Sequence, residues 1–151
     1  MRTVKDILES KHNTFNHIEP DALVIDAINL LNSVNLSYLI VIEGEEYKGI
    51  FSERDYTRNV ILKGRASNST KVKEAMTTDL PIVNLDETVE RCMNLMNSHK
   101  TRYLLAYGNQ KFLGVITIHD LLRQVLASKE DVFDSTLTRS LLDTDESSRV
   151  Y

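Results

Sequence analysis

The sequence predicts an α+β fold, mixed α/β in layout, in which two β-α-β-β-α repeats pack about a pseudo-twofold axis. Three observations predict it. Gly49-Ile50-Phe51-Ser52-Glu53-Arg54-Asp55 is matched by Gly114-Val115-Ile116-Thr117-Ile118-His119-Asp120 at an offset of 65. The same offset places Tyr38 on Tyr103, Leu39 on Leu104, Asp21 on Asp86, Ala27 on Cys92 and Leu30 on Leu95. Within each copy the apolar residues alternate between helical and strand periods in the same order. One copy of about 60 residues buries too little surface to be comfortable alone, whereas two can share a core.

Each element follows from this pattern. Thr3-Val4-Lys5-Asp6-Ile7-Leu8 resembles Lys71-Val72-Lys73-Glu74-Ala75-Met76 at an offset of 68. Each copy therefore opens with a short helix, and three extra residues fall in the first copy, in the polar run Ser10 to Thr14. Short strands are expected near Phe15 to Ile18 and Leu80 to Val83. Pro20-Asp21 and Leu85-Asp86 then introduce amphipathic helices. Leu23, Ala27, Leu30, Leu31 and Val34 form the apolar stripe of the first, and Val89, Cys92, Met93 and Met96 that of the second. Tyr38 to Ile42 and Tyr47 to Phe51 read as a hairpin around Glu43-Gly44-Glu45-Glu46, and Arg102 to Ala106 with Phe112 to Ile116 repeat it around Gly108-Asn109. A closing helix turns Tyr56, Val60 and Ile61 inward in the first copy and Leu121, Leu122, Val125 and Leu126 in the second.

The chain thus divides into a first repeat over 1–66, a linker over 67–70, a second repeat over 71–128 and an acidic tail or helix over 129–151. The stretch Lys63 to Thr70 is polar and rich in small residues, the composition of a flexible connection. The tail carries three basic and six acidic residues.

Composition excludes several functions. A net charge of −4 and a pI near 5.6 leave no overall basic field for nucleic acid. The single cysteine, Cys92, rules out an internal disulfide and suits a reducing compartment. A charged N-terminus, and apolar runs far short of about 20 residues, argue against export or a membrane span, and the expected location is cytoplasmic. Cys92 lies on its helix's apolar stripe, as a buried small hydrophobe rather than a nucleophile. His12, His17, His99 and His119 lack metal-ligand spacing, so no metal is expected. The chain contains no nucleophile elbow, P-loop or dinucleotide glycine motif.

The repeated motif admits two readings. Ser52-x-x-Asp55 and Thr117-x-x-Asp120 sit where a strand hands over to a helix and fit a capping box, worth about 1 kcal/mol each, with no ligand involved. The same junction offers free N–H donors to an anion, Gly49 and Gly114 leave room for close approach, and an aspartate there can accept from both hydroxyls of a ribose. Charge adds to the second reading around Ser52. Segment 52–73 holds Arg54, Arg58, Lys63, Arg65, Lys71 and Lys73 against Glu53 and Asp55, net +4 within an acidic chain. The Arg54 guanidinium has the fork geometry to grip a phosphate, and Arg58 and Lys63 are further candidate phosphate contacts.

These residues resemble the paired cystathionine β-synthase (CBS) domain, often called a Bateman module. The resemblance covers about residues 2–127 and is most specific at 49–56 and 114–121. It implies a non-catalytic regulatory module that binds adenosyl ligands in clefts between the two copies. It implies Ser52 and Thr117 near phosphate or ribose and Asp55 and Asp120 on the ribose diol, with Arg54 and His119 among the ribose and phosphate contacts. Adenine is implied to lie against His17, Ile18 and Tyr38 in one copy and Ile82, Val83 and Tyr103 in the other. Arg102 stands at a position often basic in the family and is a further phosphate candidate. The chain departs from the family at Leu105, where many members have proline, and at Tyr38, where a small residue is common. Tyr38 would narrow one adenine slot, so the two sites are expected to differ.

AMP is the first ligand expected, then ATP or ADP, with the chain acting as an energy or redox-state sensor; NAD(H) is the alternative, its pyrophosphate facing the basic 54–65 stretch. A homodimer is expected, and so is a regulated partner protein the sequence does not identify. Two other classes compete. An enzyme using Asp55 and Asp120 as acid and base is disfavoured because the pseudo-twofold puts them in equivalent, separate sites. An interaction scaffold whose motifs are only helix caps would bind no nucleotide.

Overall fold

The computed structural model describes residues 2–11 and 16–128. The 129–151 tail and most of the Ser10 to Thr14 insertion lie outside the described residues. The described chain forms two units, each an α+β assembly around a three-stranded mixed sheet, as the repeat predicts.

The first unit spans residues 16–79. It contains β1 (His17–Ile18), α2 (Val24–Val34), β2 (Tyr38–Glu43), β3 (Glu46–Ser52), α3 (Glu53–Tyr56), continued by a π-helical turn (Thr57–Ile61), and α4 (Val72–Ala75). β1 lies parallel to β2 with His17 opposite Ile40, and β2 is antiparallel to β3 with Tyr38 opposite Ser52. Strand residues alternate faces. Leu39, Val41 and Phe51 therefore point together into a core with Val24, Ala27, Leu31, Val60, Val72 and Ala75, and Ile18 packs against it. His17, Tyr38, Ile40, Ile50 and Ser52 share the opposite face.

The second unit joins residues 2–11 to 80–128. It contains α1 (Val4–Ser10), β4 (Ile82–Val83), α5 (Val89–His99), β5 (Tyr103–Gly108), β6 (Lys111–Thr117) and α6 (Ile118–Ser128). The sheet repeats the first: Ile82 is opposite Leu105 and Tyr103 opposite Thr117. Val83, Leu104, Ala106 and Ile116 point into a core with Val4, Ile7, Cys92, Met96 and Leu121. Ile82, Tyr103, Leu105, Val115 and Thr117 share the other face.

The opening helix of each repeat is built into the unit of the other. Val4 and Ile7 of α1 are 0% and 2% exposed in the β4–β6 core, and Val72 and Ala75 of α4 are 0% and 1% exposed in the β1–β3 core. The same backbone bonds fasten both helices. The Val4 and Lys5 amides donate to the carbonyls of Glu87 (2.9 Å) and Leu85 (3.1 Å), and those of Val72 and Lys73 donate to Ala22 (2.8 Å) and Pro20 (3.0 Å). The boundaries 1–66 and 71–128 therefore describe repeats along the chain, while packing runs across them.

Several local expectations are corrected. The amphipathic helices begin at Val24 and Val89, three residues after the Asp21 and Asp86 expected to open them. Thr88 caps the second through its side chain, accepting from the Arg91 amide at 3.1 Å. Leu23 cannot do this, so the Thr70 and Ser67 carbonyls take the Val24 (2.8 Å) and Ile25 (2.9 Å) amides. The stretch read as a flexible linker is thus tied down as the cap of α2. Val24 replaces Leu23 in the stripe, Met93 is 39% exposed, and Ile61 is 51% exposed because the π-helical turn rotates it outward.

Candidate functional site

Both repeated motifs are complete capping boxes. At the end of β3 the Ser52 amide (2.8 Å) and hydroxyl (2.9 Å) donate to Asp55 Oδ2, and the Asp55 amide donates back to Ser52 Oγ (3.2 Å). At the end of β6 the Thr117 amide donates to Asp120 Oδ2 (2.8 Å) and the Asp120 amide to Thr117 Oγ1 (3.2 Å). A third box, Thr3 with Asp6, starts α1. There the Thr3 amide holds the Asp6 carboxyl below its ordinary range. What sets the repeated boxes apart is depth: Ser52, Asp55, Thr117 and Asp120 are 6%, 7%, 3% and 6% exposed.

The surroundings divide the expected adenine-contact residues. Tyr38 and Tyr103 stand directly opposite Ser52 and Thr117 on half-buried strand ends, and His17 and Ile82 share their sheet faces, both exposed. Ile18 and Val83 lie on the helix-facing side instead, and Val83 is 2% exposed within the core. Adjacent residues of a two-residue strand point opposite ways, so of the expected contacts on β1 and β4 His17 and Ile82, and not Ile18 and Val83, share the face of the motifs with Tyr38 and Tyr103.

Arg54 and Arg58 are exposed on α3 and the π-helical turn, Lys63 is exposed just beyond, and Arg102 is exposed where β5 begins. His119 is half-buried beside Asp120. The other bases of the 52–73 stretch have structural work. Arg65 donates to the carbonyls of Asn59 (3.3 Å) and Glu74 (2.9 Å). Lys73 and Lys71 pair with Asp21 at 2.9 and 3.6 Å, and the Lys73 hydrogen bond holds that carboxyl below its ordinary range. Gly49 is also explained locally. A Cβ there would stand 2.8 Å from both Met76 Sδ and the Thr77 carbonyl oxygen, so the space read as room for a ligand is filled by the chain leaving α4.

Two residues not anticipated from the sequence join the motifs. The Thr77 hydroxyl donates to Asp55 Oδ1 at 2.7 Å, and the Lys11 ammonium donates to Asp120 Oδ2 at 2.9 Å. Neither lies within the register that aligns the copies, because the offset changes from 68 to 65 after the opening helix. Cys92 is fully buried, and burial pushes its thiol up to about 11, as expected of a core residue. No helix among the described residues is long and apolar enough to cross a membrane.

Comparison with known proteins gives the family. The CBS domain model matches residues 4–61 and 72–127. The chain is 30% identical over 133 residues to the mitochondrial CBS domain-containing protein CBSX3 of Arabidopsis thaliana, covering 82% of this chain and 65% of that protein's length. It is 27% identical to the CBS domain-containing protein YhcV of Bacillus subtilis, covering 80% of this chain and 84% of that one. Among solved structures, a protein with CBS domains from Burkholderia ambifaria superposes with a TM-score of 0.78 at 36% identity, over 83% of this chain and 95% of that one. Enzymes are matched over a fraction of their length: 21% of an inosine-5'-monophosphate dehydrogenase of Methanocaldococcus jannaschii.

Proposed function

This chain belongs to the CBS domain family and carries two copies in tandem, and from that premise we propose that it is a non-catalytic regulatory module whose ligand is an adenine nucleotide, AMP foremost. The observation that carries the reading is the pairing, on one sheet face, of a buried Ser52-x-x-Asp55 box with a half-buried Tyr38 and an exposed His17. A helix cap needs a hydroxyl and a carboxylate but no aromatic neighbours. Asp55 accepts three hydrogen bonds, from the Ser52 amide, the Ser52 hydroxyl and the Thr77 hydroxyl, of about four a carboxylate accommodates. One acceptor direction remains for a ribose hydroxyl. Arg54 and Arg58, exposed on the same helical segment, supply cations for phosphate.

Occupancy would act by favouring whichever packing or assembly of the chain binds nucleotide better. The output passes to a second copy in a homodimer or to a separate regulated protein. NAD(H) is the second reading, favoured by the exposed Lys63 beyond Arg54 and Arg58, which extends the basic surface toward a second phosphate.

Isothermal titration of nucleotide-stripped protein with AMP, ATP, NAD and NADH tests this. Binding in the micromolar range is expected, and Asp55→Ala should weaken it at least tenfold, about 1.4 kcal/mol. No binding of any of the four at millimolar concentration would leave the boxes as caps alone.

A further inference from the structure

The two motifs differ in what faces their carboxylates. In the β1–β3 unit, Thr77 serves two acceptors: its amide donates to the Ile50 carbonyl at 2.8 Å and its hydroxyl to Asp55 Oδ1 at 2.7 Å. The equivalent acceptors in the β4–β6 unit are the Val115 carbonyl and Asp120. A single group, the Lys11 ammonium, reaches both residues at 2.9 Å each, the Val115 carbonyl and Asp120 Oδ2, the oxygen that also accepts from the Thr117 amide. Arg123 adds a second cation 3.8 Å from Asp120 Oδ1. Asp55 is thus satisfied by neutral donors, and the equally buried Asp120 by an internal cation.

We propose that Lys11 closes the Asp120 motif, so that the chain takes one adenosyl ligand, at Asp55. This deepens the nucleotide reading and rests on it. A ribose hydroxyl can take the acceptor direction left at Asp55, or exchange with the Thr77 hydroxyl, and meets only neutral donors there. At Asp120 it would compete with cations at both oxygens, the Lys11 ammonium on Oδ2 and the Arg123 guanidinium 3.8 Å from Oδ1, and a charge-assisted bond is roughly twice as strong as a neutral one. Displacing Lys11 would also leave a 6%-exposed carboxylate with the more distant Arg123 as its counter-charge and the Val115 carbonyl without the Lys11 bond. Lys11 is in this sense the residue that sets how many ligands the chain holds.

Titration with AMP, following stoichiometry per chain, tests this. The unaltered protein should bind one AMP, and Asp55→Ala should remove that binding rather than halve it. Lys11→Gln, which keeps a neutral donor and so spares the fold, should raise the stoichiometry to two, and the Lys11→Gln, Asp55→Ala double variant should retain one. Two sites in the unaltered protein, or a Lys11→Gln variant that binds one AMP more weakly, would overturn the closure and leave the nucleotide reading intact. The weaker binding would make Lys11 a phosphate contact instead. Absence of heat from the unaltered protein and every variant would sink the nucleotide reading itself.

Discussion

Val4→Ala and Val72→Ala form a matched pair of perturbations on the crossed opening helices. The two valines occupy the same position of equivalent helices and are both 0% exposed, but α1 packs in the β4–β6 core and α4 in the β1–β3 core. Each substitution removes two methyl groups. At about 0.8 kcal/mol per buried carbon plus a cavity contribution, each should cost about 2 kcal/mol. That is a large part of the 5–15 kcal/mol typical of a domain without exhausting it, so both variants should fold. Urea unfolding should show the loss in each. Amide hydrogen exchange read by mass spectrometry should then locate it, since 2 kcal/mol corresponds to roughly thirtyfold faster opening. Val4→Ala should accelerate exchange in peptides from β4, β5 and β6, more than 75 residues away in sequence, and leave β2 and β3 protected. Val72→Ala should do the reverse. If Val4→Ala loosened β2 and β3 instead, the crossed assignment of the helices would be wrong.

Three further outcomes are expected. Cys92 should resist alkylation by iodoacetamide at pH 8 in native protein and react once urea is added, because its thiol is buried and raised from 9.0 to about 11. The raised value favours the neutral thiol in the folded state, so this contribution to stability is complete below pH 9 and is lost as pH rises toward about 11; Cys92→Ala should flatten that part of the urea-midpoint profile. Gly49→Ala should destabilise by about 1–3 kcal/mol in thermal unfolding. The Thr77 carbonyl it would crowd is held by the Ile50 amide at 2.9 Å and has little freedom to retreat.

Much of the fold was legible because it is written in short-range pattern. The hairpins appear within one or two residues of where alternation puts them, and the capping boxes sit at the repeated Ser/Thr-x-x-Asp. What was not legible is what each apolar face packs against. Val4 and Ile7 announce a buried stripe, but nothing in a seven-residue helix says that Val83 and Ile116 lie under it. Lys11 was hidden for the same reason, as one cation in a polar insertion, 109 residues from the carboxylate it meets. The core-facing side of Ile18 and Val83 was not legible because a two-residue strand has no period from which its faces can be assigned. The linker hid its role because carbonyls, which any residue can supply, do the capping of α2.

The crossing of the helices also has a consequence in time. Residues 16–79 form one continuous stretch, an insertion between the two pieces of the other unit. During synthesis that inserted unit has all its described elements as soon as α4 has been made. Helix α1 is made before the strands it packs on and must carry Val4 and Ile7 uncovered until β6 exists, about 110 residues later. At about 5–20 residues per second this wait is roughly 5–20 s. Of the two opening helices, the one made earlier is therefore the one that settles later, and its apolar face waits longer for cover.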